Sequence, residues 1–282
     1  MNRLKIAIQK KGRLSEKSKN LLSSAGFKFT NGGGLMAHGI NFPIELIFLR
    51  DDDIPEYIDQ GVVDLGIVGE NLLEEKGYEL EKLKALGFGK CKLDLAIPKD
   101  AEFKGLSFFQ GKRIATSYPN ILQNFLSSNG VNASIELISG SVEIAPTLEL
   151  ADGVFDIVST GTTLKMNGLK PVFTVMKSQA FLVGKKEALE NGIVQDLLFR
   201  IEAALAAEDF KYILLNAPES KVDEIGEILP GMKSPTVIPL KETGWVSMHS
   251  VVPENLFWEK IQALKSAGAQ GILVCPIEKM IL

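Results

Sequence analysis

Short apolar runs alternate with longer stretches of helical period from the start of the chain. Leu4 to Ile8 reads as a strand, Ser15 to Ala25 as an amphipathic helix and Ile44 to Leu49 as a strand. Ile54 to Gln60 continues as a helix and Asp64 to Val68 as a strand. A second series begins near Cys91, with strands over Lys92 to Ile97 and Arg113 to Thr116, then a helix over Pro119 to Ser128. It goes on through a strand at Ala133 to Ile138, a helix at Val142 to Leu150 and a strand at Phe155 to Val158. Such βα alternation predicts mainly parallel sheets covered on both faces, here as two α/β lobes with a cleft between them. From about Glu208 the order changes. Lys211 to Ala217 is a strand, Lys221 to Leu229 a helix, and Thr236 to Leu240 and Trp245 to Val252 are strands. Asn255 to Ala267 is a helix and Gly271 to Cys275 a strand. That β-α-β-β-α-β order is the ferredoxin-like unit, and its length suits a separate small domain.

Composition narrows the function more than the fold. A chain of 282 residues suffices for two or three domains. Its net charge of −4 provides no global field that would recruit nucleic acid or anionic membrane. A polyanionic ligand must therefore meet local clusters, of which Lys10, Lys11 and Arg13 form one and Lys112 and Arg113 another. Short charge runs of this kind also serve as solvated turns. Cys91 and Cys275 are far apart, with no metal-ligand spacing, and read as small core residues in a reducing compartment. The N-terminus is strand-like and broken by charge, unlike a signal peptide, and no apolar run approaches a membrane span. A soluble, cytoplasmic protein is expected.

The stretch from Asp156 to Leu164 carries the most chemistry. A buried strand runs into a loop of Ser159, Thr160, Gly161, Thr162 and Thr163. Such a loop turns backbone N–H groups and hydroxyls toward one point, and glycine allows close approach of the backbone to a phosphate. Asp156 adds a carboxylate suited to ribose hydroxyls or a magnesium ion. An ordinary strand-to-helix loop with a hydroxyl N-cap has the same composition.

Asp156 to Leu164, followed by Asn167-Gly168-Leu169, resembles the phosphoribosyl-pyrophosphate loop of the ATP phosphoribosyltransferase family. Further matching stretches, in the family's order, are Lys11-Gly12-Arg13, Arg50 to Pro55, Asp64 to Asn71, Lys112 to Pro119 and Gly140 to Glu143. Leu229-Pro230-Gly231, Ser234-Pro235-Thr236 and Pro276 to Met280 complete the set, so the resemblance covers essentially the whole chain. It implies the long form, with a two-lobe core of type II periplasmic-binding-protein-like fold and a C-terminal ferredoxin-like regulatory domain. Residues 1–90, completed by about 178–207, would form lobe I, 91–177 lobe II and 208–282 the regulatory domain.

The resemblance also implies the reaction. ATP would attack phosphoribosyl pyrophosphate through adenine N1, releasing pyrophosphate and giving phosphoribosyl-ATP, the first step of histidine biosynthesis. Adenine N1 needs no deprotonation, which fits a chain whose histidines are His38 and His249 alone. On this picture Ser159 to Thr163 hold the 5′-phosphate, and Asp156 and Glu143 orient the ribose, directly or through Mg²⁺ carried by the substrate. Lys11 and Arg50 are the catalytic cations toward the leaving pyrophosphate, near Arg13, and Arg13, Glu70 and Asn71 serve ATP. Histidine would inhibit from the C-terminal domain, held by Asn216, Ser234 and Thr236, in a homo-oligomer of two to six copies. One departure is the segment Asn31 to Gly34, which lacks the basic residue that many relatives carry before the next strand. His38 is left out of the site. A non-catalytic binding or sensor protein of the same two-lobe fold is the alternative. A dinucleotide-dependent oxidoreductase is disfavoured because no GxGxxG follows the first strand.

Overall fold

The computed structural model describes residues 3–30, 34–159 and 161–282. They form two compact units, one holding most of the chain up to Gln195, the other Leu21–Gly26 with Asp196–Leu282.

The first unit opens with β1 (Leu4–Gln9), α1 (Ser15–Ser24), β2 (Met36–His38) and β3 (Ile44–Leu49). It continues with α2 (Ile54–Asp59), β4 (Leu65–Gly69), α3 (Glu70–Lys76) and β5 (Glu81–Ala85). Ile6, Ala7 and Ile8 of β1 are all fully buried, so both faces of this strand are covered, as a parallel strand requires. β1 pairs in parallel with β3 on one side and β4 on the other. The acidic run Asp51–Asp53 forms a 3₁₀ turn leading into α2, and Pro55 occupies the first turn of that helix. Carboxylates there face the positive end of the helix dipole, and a missing proline N–H costs nothing at that place.

The chain then builds a second sheet from β6 (Cys91–Pro98), β7 (Arg113–Thr116), α4 (Pro119–Ser128), β8 (Ser134–Leu137) and β9 (Gly153–Val158). α5 (Thr162–Met166) and β10 (Leu169–Ser178) complete it, in the strand order β10-β6-β9-β7-β8. Leu93, Leu95 and Ile97 alternate along β6 into a core with Phe109, Phe155 and the α4 residues Leu122 and Leu126. Ala96 faces the opposite core, with Val154, Val158 and Leu164. After Ser178 the chain returns as β11 (Ala180–Gly184), which inserts antiparallel between β4 and β5. The first sheet thus runs β2-β3-β1-β4-β11-β5. Two crossings between sheets, the second delivering an antiparallel strand, are what the type II two-lobe expectation demands.

One expected element is absent. Residues 142–150 do not form a helix: a 3₁₀ turn over Val142–Ile144 gives way to irregular turns, with Glu149 at φ 57°. Pro146 has no N–H to bond back to Val142, and Ser141 enters the segment in the left-handed region, so the helical ladder never forms.

The two sheets of this unit are tied by α3 and α4. Glu75 is buried, and its carboxylate accepts the backbone N–H groups of Asn120 and Ile121, each at 3.0 Å. Asn120 returns a side-chain N–H to the Glu75 carbonyl at 2.8 Å. A carboxylate on the unsatisfied first turn of a helix is favoured by charge and by hydrogen bonding.

The second unit contains α6 (Gly192–Glu208) from Asp196 on, β12 (Phe210–Pro218), α7 (Val222–Ile228) and β13 (Thr236–Pro239). β14 (Trp245–Pro253), α8 (Glu254–Ser266) and β15 (Gln270–Pro276) follow. Its sheet is fully antiparallel, in the order β13-β14-β12-β15. Ile213, Leu215, Val246 and Met248 meet Ile225, Phe257 and Leu264 of the helices in one core. This is the ferredoxin-like arrangement that the element order predicts.

Replacing Glu75 with alanine is expected to destabilise the protein by about 1.5–3 kcal/mol, the worth of hydrogen bonds to a charged acceptor. Glu75→Gln, which keeps one acceptor oxygen, should lose less. Urea denaturation of both variants measures this, and an Ala variant as stable as the wild type would refute the role of the carboxylate at this junction.

Candidate active site

β9 ends at Val158, and the chain turns through Ser159 and Gly161 into α5. Thr160, expected in the same loop, lies outside the described residues. Gly161 is at φ 75°, a left-handed conformation, and an added Cβ would meet only Val158 Cγ1 at 3.8 Å. Glycine is needed there for its backbone freedom and not for lack of space. Leu164 anchors the helix in the core beside Val154 and Leu169, leaving Thr162 and Thr163 exposed. Arg13, 146 positions earlier, donates to the Ser159 hydroxyl at 3.0 Å. The basic segment before α1 and the hydroxyl loop therefore face each other across the cleft.

Two carboxylates expected in the site come together. Burial pushes the Asp156 carboxyl above its ordinary value. The N–H of Ile157 opposes the shift, nearby Glu143 adds to it and the Arg13 charge opposes it. Asp156 faces a further carboxylate that sequence reasoning missed. Asp94 on β6 is its register partner, which sets the two Cβ atoms about 5 Å apart on one face of the sheet. Asp94 is only 5% exposed, and its Oδ1 has no hydrogen-bond partner. A buried carboxylate oxygen without a partner can be met by a donor group of a ligand, by water or by a cation. Asp156 and Asp94 thus fit a divalent ion held jointly with a substrate, as Mg²⁺ usually is.

Other expected residues fall less tightly. Lys11 and Arg50 are exposed and have no ion-pair partner among the described residues, and Arg50 makes no bridge to Asp51, Asp52 or Asp53. Glu70, assigned to ATP, accepts from Lys82 at 2.8 Å, and Lys82 also binds Glu74 at 2.8 Å. Asn71 is buried: its N–H donates to Ser178 Oγ at 3.1 Å and its Oδ1 accepts from the same hydroxyl at 2.9 Å. Its Nδ2 reaches Tyr118 Oη at 3.4 Å. Burial, with the Asp156 charge beside it, holds the Tyr118 phenol well above its ordinary pKa and so protonated. The Cys91 thiol is also raised by burial, against a hydrogen bond with Ser178 and the Arg13 charge.

Glu70 and Cys91 border a cavity of about 480 Å³ whose lining also includes Lys92, Ser159, Lys177 and Ser178. Cys91 and Ser178 stand on the two crossing segments, which no local pattern could have paired. Of the basic clusters seen in the sequence, Lys112 and Arg113 are spent internally. Lys112 lies over the Phe108 ring and Arg113 faces Asp152. Asn31, Gly32 and Gly33, where a departure from the family was expected, lie outside the described residues. His38 meets Glu45 at 2.9 Å, away from the loop.

In the second unit Asn216 lies on β12, and an added Cβ at Gly271 would stand 3.4 Å from its Nδ2. Thr236 pairs with His249 on β14, the strand between β13 and β12, so Asn216 and Thr236 are at least about 10 Å apart. Ser234 is exposed in the turn before β13.

The model of the ATP phosphoribosyltransferase family matches residues 50–203, and the model of the HisG C-terminal domain matches residues 207–279. An ATP phosphoribosyltransferase of Phocaeicola vulgatus is 56% identical over 282 residues, covering 99% of this chain and 100% of that one. One of Cytophaga hutchinsonii is 52% identical over 281 residues, covering 99% and 98%. Among solved structures, the ATP phosphoribosyl transferase (HisG:HisZ) complex of Thermotoga maritima matches with a TM-score of 0.61 and 31% identity. That match covers 71% of this chain and 98% of the other. A chain so matched from end to end, with the hydroxyl loop and its facing arginine in place, belongs to the ATP phosphoribosyltransferase family of pentosyltransferases.

Proposed function

We propose that the protein condenses ATP with 5-phosphoribosyl 1-pyrophosphate to give N1-(5-phosphoribosyl)-ATP and pyrophosphate, opening histidine biosynthesis in the cytoplasm. The observation that carries this reading is the contact of Arg13 with Ser159, which sets a cation over a glycine-hinged hydroxyl loop beside Asp156 and Glu143. No helix among the described residues is long and apolar enough to cross a membrane.

In the reaction adenine N1 attacks ribose C1 as the C1–O bond to pyrophosphate breaks, and the bonding pair leaves with the pyrophosphate. The configuration at C1 inverts. No side chain has to take a proton from the nucleophile, so the site works by alignment and by charge. Hydroxyls and N–H groups of the loop after β9 hold the 5′-phosphate. Asp156 and Glu143 accept from the ribose hydroxyls and keep C1 aimed at the adenine. Arg13, Lys11 and Arg50 stabilise phosphate charge, and Asn71 and Glu70 border the nucleotide. Asp156 and Asp94 would hold Mg²⁺ with the substrate, and a bound ion would supply charge neutralisation for the pyrophosphate.

The ferredoxin-like unit adds no group to this chemistry, and regulation by histidine is its proposed role. With β14 between Asn216 and Thr236, one copy does not close around an amino acid at these positions. Both edges of the sheet expose apolar side chains, among them Ile238 on β13 and Leu273 on β15. A second copy completing the pocket, within a homo-oligomer up to a hexamer, fits both facts.

Gly161→Val should raise the KM for phosphoribosyl pyrophosphate far more than that for ATP. A β-branched residue cannot hold φ 75° without strain, and each phosphate hydrogen bond lost with the loop costs about 1.5–3 kcal/mol. Steady-state kinetics with each substrate varied provide the measurement. Equal loss for both substrates in a folded variant counts against the loop as the phosphoribosyl site.

Histidine should lower turnover at saturating ATP and change the fluorescence of Trp245 and Trp258, both of which lie in the second unit. In the full chain, Thr236→Val should desensitise the enzyme while leaving its uninhibited rate within about twofold, since a site separate from the cleft does not touch the transition state. Unaltered histidine inhibition in both Thr236→Val and Asn216→Ala would remove these residues from the regulatory site.

A further inference from the structure

The cavity beside the loop carries cations that the phosphoribosyl site does not use. Lys92 on β6 and Lys177 on β10 are register partners on adjacent antiparallel strands. Their side chains therefore leave the same face of the sheet from Cβ atoms about 5 Å apart. Lys92 is also the register partner of Val158 on β9, the residue immediately before Ser159. One row across three strands thus reads Lys177, Lys92, Val158 and ends at the loop. Both lysines line the cavity of about 480 Å³, and Lys90 stands beside them.

Like charges directly opposite in a ladder repel, and proteins ordinarily relieve this with a carboxylate nearby. No carboxylate is paired with either of them here. Neither lysine has an ion-pair partner among the described residues. Among the described residues the carboxylate lining the cavity is Glu70, and it is engaged by Lys82. The inward neighbours in the same strands are Asp94 and Asp156, one row deeper in the sheet. The face therefore changes from paired carboxylates to paired ammonium groups over about 7 Å, two residues of strand.

We propose that Lys92 and Lys177 form a clamp for a chain of two or more phosphates lying along the mouth of the loop. The inference rests on the function proposed above, in which two such chains enter the cleft, the pyrophosphate of the phosphoribosyl donor and the triphosphate of ATP. A phosphate chain would bridge the two ammonium groups, relieve their repulsion and leave the Asp94–Asp156 pair free for the ribose or its metal. The cavity has room for more than one phosphate group.

The test uses the full-length protein and the variants Lys92→Met, Lys177→Met and, against misfolding, Lys92→Gln. Calorimetry with inorganic pyrophosphate, ATP and AMP, together with the KM for phosphoribosyl pyrophosphate, separates the two sources. Each substitution should weaken binding of the clamped phosphate chain about tenfold or more, the worth of one charge-assisted hydrogen bond. Because a like-charge contact is removed, the denaturation midpoint should stay level or rise. Weakened pyrophosphate binding and a raised KM for the phosphoribosyl donor, with ATP unchanged, assign the clamp to the pyrophosphate. Weakened ATP binding with AMP unchanged assigns it to the triphosphate. Affinities for pyrophosphate, ATP and the donor that are unchanged in folded variants overturn the clamp. A wild-type protein that binds pyrophosphate through these lysines but forms no phosphoribosyl-ATP would refute the proposed reaction and leave the clamp standing.

Discussion

The hydroxyl of Ser178 is the point on which the cleft depends. It ends β10, where the chain crosses back between the two sheets, and it both accepts from and donates to Asn71 at the start of α3. Cys91, on the first crossing, bonds to the same hydroxyl. Both crossing segments and the β4–α3 corner thus share one buried polar centre. Removing any partner would leave a buried donor or acceptor unpaired, at a cost of about 1–3 kcal/mol. Asn71 extends the network to Tyr118, the residue that caps α4, and Glu75, one turn further along α3, holds the first turn of α4. One face of a seven-residue helix therefore fixes how the strand ends of both sheets border the cavity.

Charge around the hydroxyl loop is zoned. Carboxylates lie deep in the second sheet, with Asp94 and Asp156 opposed on neighbouring strands and Glu143 close to Asp156. Cations lie nearer the loop, with Lys92 and Lys177 lining the cavity and Arg13 bonded to Ser159. A phosphorylated sugar has the complementary polarity, with hydroxyls to donate and phosphates to accept. Burial raises the Asp156 carboxyl, so the free site carries some electrostatic cost that a donor-rich ligand offsets. Such zoning would serve the proposed reaction, which needs alignment and leaving-group stabilisation and no base that titrates during turnover.

The ferredoxin-like unit follows a simpler logic. Its helices cover one face of the sheet, and the core among Ile213, Met248, Phe257 and Leu264 closes without help. The other face is polar where its strands meet: Tyr212 Oη lies 2.6 Å from His249 Nδ1, and Ser247 Oγ 3.0 Å from Nε2. Apolar exposure is displaced to the edge strands β13 and β15, which carry unpaired backbone groups as well. Open edges of this kind are templates for pairing unless something covers them. The unit is therefore closed in its centre and open at its margins.

Legibility in the sequence followed the range of the interactions. β1, β3, β4, β7 and the whole ferredoxin-like order were readable because each strand or helix announces itself by local period and by its flanking glycine or proline. The glycine of the hydroxyl loop was readable as a residue type, but its reason in the fold is the left-handed φ of Gly161, which no local pattern states. The segment 142–150 misled because its apolar spacing is helical while Pro146 forbids the ladder, a local veto that outweighs the period. Asp94 was hidden for the opposite cause. Within Leu93-Asp94-Leu95-Ala96-Ile97 it reads as a single polar interruption of a buried strand, and only the register of β6 against β9 reveals that it faces Asp156. Lys92 and Lys177 are 85 positions apart and each looks like a solvated charge until β10 pairs with β6. Side chains that act in pairs across strands gain meaning only from register, and register is set by the packing of the whole sheet.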